Sequence, residues 1–137
     1  MRKLEKEMWT NILNRTPATL QKGNLEVLPL TASAEDEEWV RHIVINMYGC
    51  KLATITPHSN MLKVTFHGDC WDGASTTVMS RVRALCVGYK VTKSGSDVTF
   101  TSEGESKLSN SLTTCHLSEK GYSLLVDLEK VRLAIQP

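Results

Sequence analysis

The sequence predicts an α+β fold: an antiparallel sheet built around a meander, with two helices packed on one of its faces, in a single domain spanning residues 1–137. Three observations carry that expectation. Residues 39–66 read as three successive strands joined by tight turns. Residues 2–15 and 75–87 each place apolar side chains at helical spacing. The chain has 137 residues, 41% apolar and 23% charged, which is enough for one buried core without a metal or covalent staple.

In chain order, the first helix repeats Leu4, Met8 and Ile12 at four-residue intervals, with Trp9 and Leu13 widening the stripe. Arg2, Lys3, Glu5, Lys6 and Glu7 fall on the rest of its surface and are expected to face water. Pro17 ends it, because a proline biases its predecessor away from helical geometry. The stripe is expected to pack on the domain's own sheet, while leaving homodimerisation open. Thr16 to Gly23 reads as a connector. Asn24 to Leu30 alternates Leu25, Val27 and Pro29, and the missing N–H of Pro29 restricts this segment to an edge strand. Thr31 to Glu38 is polar and acidic, a solvated loop.

Trp39 to Met47 alternates in strand fashion. The following Tyr48-Gly49-Cys50-Lys51 puts glycine at the first central position of a type II′ turn. Leu52 to Ile55 returns, Pro57 to Asn60 turns again, and Met61 to Phe66 forms a third strand with Leu62, Val64 and Phe66 on one face. In the second helix Ser75, Thr76 and Thr77 offer capping hydroxyls, Val78, Val82, Leu85 and Cys86 share one face, and Gly88 stops it. Arg81 and Arg83 lie off that face and, two residues apart, point to different sides. Tyr89–Lys93 and Asp97–Thr101 read as a hairpin across Ser94-Gly95-Ser96. Leu112–Leu117 and Tyr122–Leu128 are expected to pair around Lys120-Gly121. Val131, Leu133 and Ile135 alternate as a final strand, with a short helix over residues 124–134 as the other reading. The whole sheet then has about five to seven strands.

Charge excludes a strong general pull toward polyanions: 16 basic residues against 15 acidic give +1. Cys50, Cys70, Cys86 and Cys115 are scattered without a CxxC pair, and Met1 opens a charged helical segment rather than an apolar leader. Reduced thiols in a cytoplasmic protein are therefore expected. No apolar run approaches the roughly 20 residues that span a bilayer, so no membrane is expected as a partner.

The most unusual side chains crowd into Phe66 to Cys86, where His67, Asp69, Cys70, Trp71 and Asp72 precede the second helix. His67 and Cys70 make an HxxC pair, but a zinc site needs a second pair that the chain does not supply nearby. No metal or other cofactor is expected. Cys70 is the one nucleophile with a nearby imidazole, yet Asp69 and Asp72 disfavour a thiolate. Gly73, Ser75, Thr76 and Thr77 present amides and hydroxyls where a helix dipole is positive, which suits phosphate, although no Walker A pattern surrounds them. A Trp71 loop ahead of Arg81 and Arg83 suits a contact surface instead.

The order of features over residues 1–88 resembles a group of small, largely uncharacterised accessory proteins of tailed bacteriophages. The resemblance is carried by Asn24-Leu25-Glu26-Val27 after a short helix and by a Tyr48-Gly49 turn returning into Lys51-Leu52-Ala53-Thr54-Ile55. A third strand follows, and then Trp71, Ser75-Thr76-Thr77 and Arg81-Val82 enter a helix. The group's usual hairpin is hydrophobic-x-His-Gly-Asn-x-Ile-Ala, followed by tryptophan, a threonine pair, then arginine, an aliphatic residue and asparagine. Tyr48 stands where histidine is usual and Arg83 where asparagine would follow. The group implies no catalytic residue; it implies a phage protein made in a bacterial cell that acts on a host or defence component.

The expected function is therefore a non-enzymatic accessory protein in the host cytoplasm. It binds and inhibits or redirects a bacterial host or antiviral-defence protein through Trp71, Asp72, Arg81 and Arg83. One alternative is a nucleic-acid-binding module using the Trp71 loop and the basic strand faces that carry Arg41, Lys51, Lys63, Lys90 and Lys93. Another is a nucleotide or small-ligand binder at Gly73 to Thr77, with Ser75, Thr76 and Thr77 as its ligand-holding residues.

Overall fold

Alternation in the meander settles which side chains meet the core. The computed structural model describes residues 1–29, 42–67, 76–94, 97–102, 112–116 and 122–136. Strands β3 (Ile43–Met47), β4 (Cys50–His58) and β5 (Met61–Phe66) pair antiparallel in sequence order, as the pattern of apolar residues requires. Ile45 opposes Ala53, Ile43 opposes Ile55, and Ile55 opposes Val64, so one face is continuously aliphatic and fully buried. A register shift after Ile45 inserts Leu52 as an extra residue, and Leu52 and Ala53 are both buried.

The first hairpin differs in detail from expectation. Met47 pairs with Cys50, so the loop is Tyr48-Gly49, and both residues have positive φ, 52° and 78°. That is a type I′ turn with glycine at the second central position, whose twist matches the flanking strands.

Among the described residues the sheet has six strands, in the order β1 (Ala18–Leu20), β2 (Leu25–Pro29), β3, β4, β5 and β9 (Tyr122–Asp127), every pair antiparallel. Thr16 to Gly23 is more than a connector: it holds β1 (Ala18–Leu20) and a short 3-10 turn (Gln21–Gly23). β2 (Leu25–Pro29) is consequently not an edge strand. Only Leu28 and Pro29 run past β1 and pair with β3 alone, so the proline sits where one side of the strand has no partner.

The segments 112–116 and 122–127 do not pair with each other as the sequence led us to expect. β9 (Tyr122–Asp127) joins β5, because Leu124 and Val126 extend the apolar face of Leu62 and Val64 across what would otherwise be an open edge. β8 (Leu112–His116) joins β7 (Asp97–Ser102) and β6 (Tyr89–Ser94) in a second, three-stranded antiparallel sheet. Val91, Val98 and Phe100 tie that sheet into the same core, with the Phe100 ring stacked on Phe66 at 6.0 Å. Tyr89 donates its hydroxyl hydrogen to the Leu125 carbonyl at 2.7 Å.

Among the described residues three α-helices, one more than expected, cover the buried sheet face. α1 (Lys3–Asn14) buries Met8, Trp9 and Ile12. α2 (Thr76–Leu85) buries Val78, Val82 and Leu85, and Gly88 follows it in the left-handed region at φ 88°. α3 (Leu128–Ile135) replaces the predicted final strand: Asp127 caps it by accepting from the Glu129 amide at 2.9 Å, and Val131 is buried while Leu133 is 65% exposed. α1 is bonded to both neighbours. Trp9 Nε1 donates to the Ala84 carbonyl at 2.8 Å, and Lys6 Nζ donates to the Gln136 carbonyl at 3.3 Å. Among the described residues no helix is long and apolar enough to cross a membrane.

Candidate functional site

Trp71, Asp72 and Ser75 lie outside the described residues, together with Arg41, Cys70 and Gly73. The remaining residues predicted for the contact and ligand sites, Thr76, Thr77, Arg81 and Arg83, all belong to α2, and the helix sends them to different places. Arg81 is not on the surface. It is 3% exposed and ion-paired with Glu5, its Nη1 donating to Glu5 Oε2 at 2.7 Å and its Nη2 to Gln21 Oε1 at 3.0 Å. Ser80 donates to the same carboxylate oxygen at 2.7 Å, and the Arg2 amide donates to Glu5 Oε1 at 3.1 Å. An arginine with both ends of its head engaged inside the fold is unavailable to a partner, so Arg81 leaves the contact set. Glu5, expected to face water, is buried at 3% exposure as its counterion.

Thr76 and Arg83 stay accessible. Thr76, Ser80 and Arg83 follow each other at intervals of four and three, which places them along one side of α2. With Arg2, Tyr89 and Ala134 they line an open cleft of about 820 Å³. Arg83 donates from Nε to the Val91 carbonyl at 3.3 Å, which anchors it to β6. Thr77, in contrast, is half-buried and does not line this cleft. The ligand-holding trio is thus divided, with Thr76 in the cleft, Thr77 outside it and Ser75 beyond the described residues.

The sheet's other face is the second accessible surface. Residues that alternate with the core face point there: Lys51, Thr54 and Thr56 from β4, Lys63 and Thr65 from β5, and Val44 from β3. His42 and His67 flank them at strand ends, and together these side chains line a shallow groove of about 320 Å³. Thr54 Oγ1 and His67 Nε2 lie 2.7 Å apart in a hydrogen bond whose direction follows the imidazole tautomer. Thr65 and Ser123 hydroxyls bond across β5 and β9 at 2.8 Å. Lys51 and Lys63 are exposed, and among the described residues no carboxylate lines the groove. Two ammonium groups above a row of hydroxyls and imidazoles offer donors to an anionic or carbonyl-rich partner.

Sequence reasoning named Lys51 and Lys63 but did not place them together, and it missed the threonines. The signal was present in the parity of the meander: once Ile55 and Val64 face inward, Thr54, Thr56, Lys63 and Thr65 must face outward. Lys90 and Lys93 sit elsewhere, on β6 of the smaller sheet. Cys50 is half-buried and Cys86 buried, and among the described residues no three His, Cys, Asp or Glu side chains gather where a metal would sit. Comparison with family models, with curated proteins and with solved structures finds no match to the chain, so its own geometry is the basis for a functional reading.

Proposed function

We propose that the chain is a non-enzymatic phage accessory protein that binds a bacterial host or antiviral-defence protein in the host cytoplasm and inhibits or redirects it. The outer sheet face is its contact surface. One observation carries the reading: among the described residues a six-stranded sheet buries one face under three helices, while the other presents Lys51, Lys63, Thr54, Thr56 and Thr65 around a groove whose described lining holds no carboxylate. Glu26 of β2 stands on the same face beyond Asn46. An antiparallel sheet with one solvated face needs polar residues there, but it does not need two lysines around one groove. The phage setting rests on the resemblance of residues 1–88. The partner surface it fits is acidic and rich in carbonyl acceptors.

The same lysines favour a second reading, in which the face binds nucleic acid through phosphate contacts. Capture from bacterial lysate with the tagged chain, before and after nuclease treatment, separates the two. Retention of a defined protein after nuclease supports the first reading. A partner lost with nuclease, and steeply weakened by salt, replaces it with the second.

A further inference from the structure

The open cleft beside α2 carries charges that the outer face does not use. It follows the helix from Thr76 past Arg83 to the turn at Gly88, and Arg2, just before α1, and Ala134 of α3 also line it. At about 820 Å³ it lies within the roughly 300–1,000 Å³ usual for small-molecule sites.

Two arginines reach it with donors to offer. The Arg2 backbone is fixed, its amide donating to Glu5 Oε1 at 3.1 Å and its carbonyl accepting from the Glu5 and Lys6 amides at 3.0 Å, while its side chain is exposed. Arg83 commits Nε to the Val91 carbonyl, which leaves both Nη groups for a ligand. Lys130 adds a third cation at the rim: a Cβ built on Gly88 would lie 3.3 Å from its Cδ and 3.6 Å from its Nζ. The carboxylate in the described lining, Glu5, does not compete for them. Its two oxygens already accept from the Arg2 amide, from Ser80 and from the buried Arg81. Cations of one sign around a concave surface focus their field into it.

Spacing and surface narrow the class of anion. Glu5 meets Ser80 and Trp9 meets Ala84, so α1 and α2 run side by side in the same direction. Three residues before Glu5 and three beyond Ser80, Arg2 and Arg83 therefore stand about six residues, roughly 9 Å, apart along the pair. A chain of two or three phosphates suits that separation better than a single one. Val87, Tyr89 and Ala134 are half-buried and leave apolar surface open at the Gly88 end.

We propose that this cleft binds a nucleoside polyphosphate, its phosphates along Arg2, Thr76 and Arg83 and its nucleoside against Val87, Tyr89 and Ala134. The site uses no residue of the outer face. It takes Thr76 from the trio expected at the start of α2, and replaces the other two members with the arginines.

ATP is the probe, titrated into the untagged full chain at low salt and followed by calorimetry and by thermal midpoint. Saturable binding with a raised midpoint is expected, since a ligand that binds only the folded chain stabilises it. AMP is expected to bind more weakly than ATP. Arg2→Gln with Arg83→Gln is expected to weaken ATP binding about tenfold or more. Both side chains are exposed, so the ligand-free midpoint should stay within a few degrees of wild type. Ala134→Glu, which sets a carboxylate in the lining and leaves every cation in place, is expected to weaken binding as well. Lys22→Glu lowers the net charge as much as the double variant does, from an exposed position outside the lining, and is expected to bind as wild type does. Absence of saturable ATP binding overturns the proposal. So does equal binding by the double arginine variant, or an equal loss in Lys22→Glu, which would mean attraction by net charge alone.

Discussion

Glu5 and Arg81 meet at 2.7 Å with each side chain 4% exposed, and Arg81 Nε is buried without a hydrogen-bond partner among the described residues. Removing one member of such a pair strands the other charge in the core, a loss of about 3–5 kcal/mol. Glu5→Ala is therefore expected to lower stability by that amount in a denaturant titration. Glu5→Leu with Arg81→Met, which removes both charges, is expected to cost less than either single change. Acidity should show the same pair. Burial pushes the Glu5 carboxyl up, but hydrogen bonds from Ser80, the Arg2 amide and Arg81, with the attraction of the guanidinium, hold it below its ordinary 4.5. A carboxyl lowered by folding contributes stability that is complete above the unfolded value and is lost as pH falls through the folded one. The thermal midpoint of the wild type should thus decline below about pH 4.5, and that portion of the decline should be missing in Glu5→Gln. Neither partner was legible in the sequence as a core residue. The two are 76 positions apart, and a charged residue beside an apolar stripe normally faces water.

At the scale of elements, the first hairpin offers a test of the backbone alone. A Cβ added to Gly49 would meet nothing within 4 Å, so Gly49→Ala acts only through its positive φ of 78° and should cost about 1 kcal/mol. Tyr48 already occupies the left-handed region at φ 52°, where asparagine is much better tolerated. Tyr48→Asn should therefore stabilise the hairpin by about 0.5 kcal/mol, read as a shift of the unfolding midpoint. The meander and the first two helices were legible because their periodicity is local: Met61 to Phe66, for example, can bury Leu62, Val64 and Phe66 only as a strand. The last third was not. Val131, Leu133 and Ile135 alternate, but Leu128, Val131 and Ile135 also fall on one helix face, and the Asp127 cap decides for the helix. Tyr122 to Asp127 found its partner 56 to 66 positions away at the β5 edge, and no local signal announces that choice over the adjacent 112–116.

Across the whole molecule, three helices and a small second sheet enclose one core, leaving the outer face of the six-stranded sheet polar. The fold class was readable from composition and period, whereas the contact surface depends on tertiary register. Arg81 and Arg83 were both expected off the apolar face of their helix, pointing to different sides, yet one is an internal counterion and the other an exposed cleft residue. Lys51 and Lys63 share a face only because a bulge at Leu52 and the β4–β5 register put them there. The outer face is therefore the part of the account to test directly. Tagged wild type and the Lys51→Glu, Lys63→Glu double variant should be compared for capture from nuclease-treated bacterial lysate, with thermal midpoints measured alongside. Both lysines are exposed, so the midpoints should agree within a few degrees. The account predicts that wild type retains a defined bacterial protein through moderate salt and that the double variant loses at least about 90% of it, the tenfold weakening that about 1.4 kcal/mol represents. Equal retention by the two chains, or no protein retained by wild type once nucleic acid is removed, would contradict it.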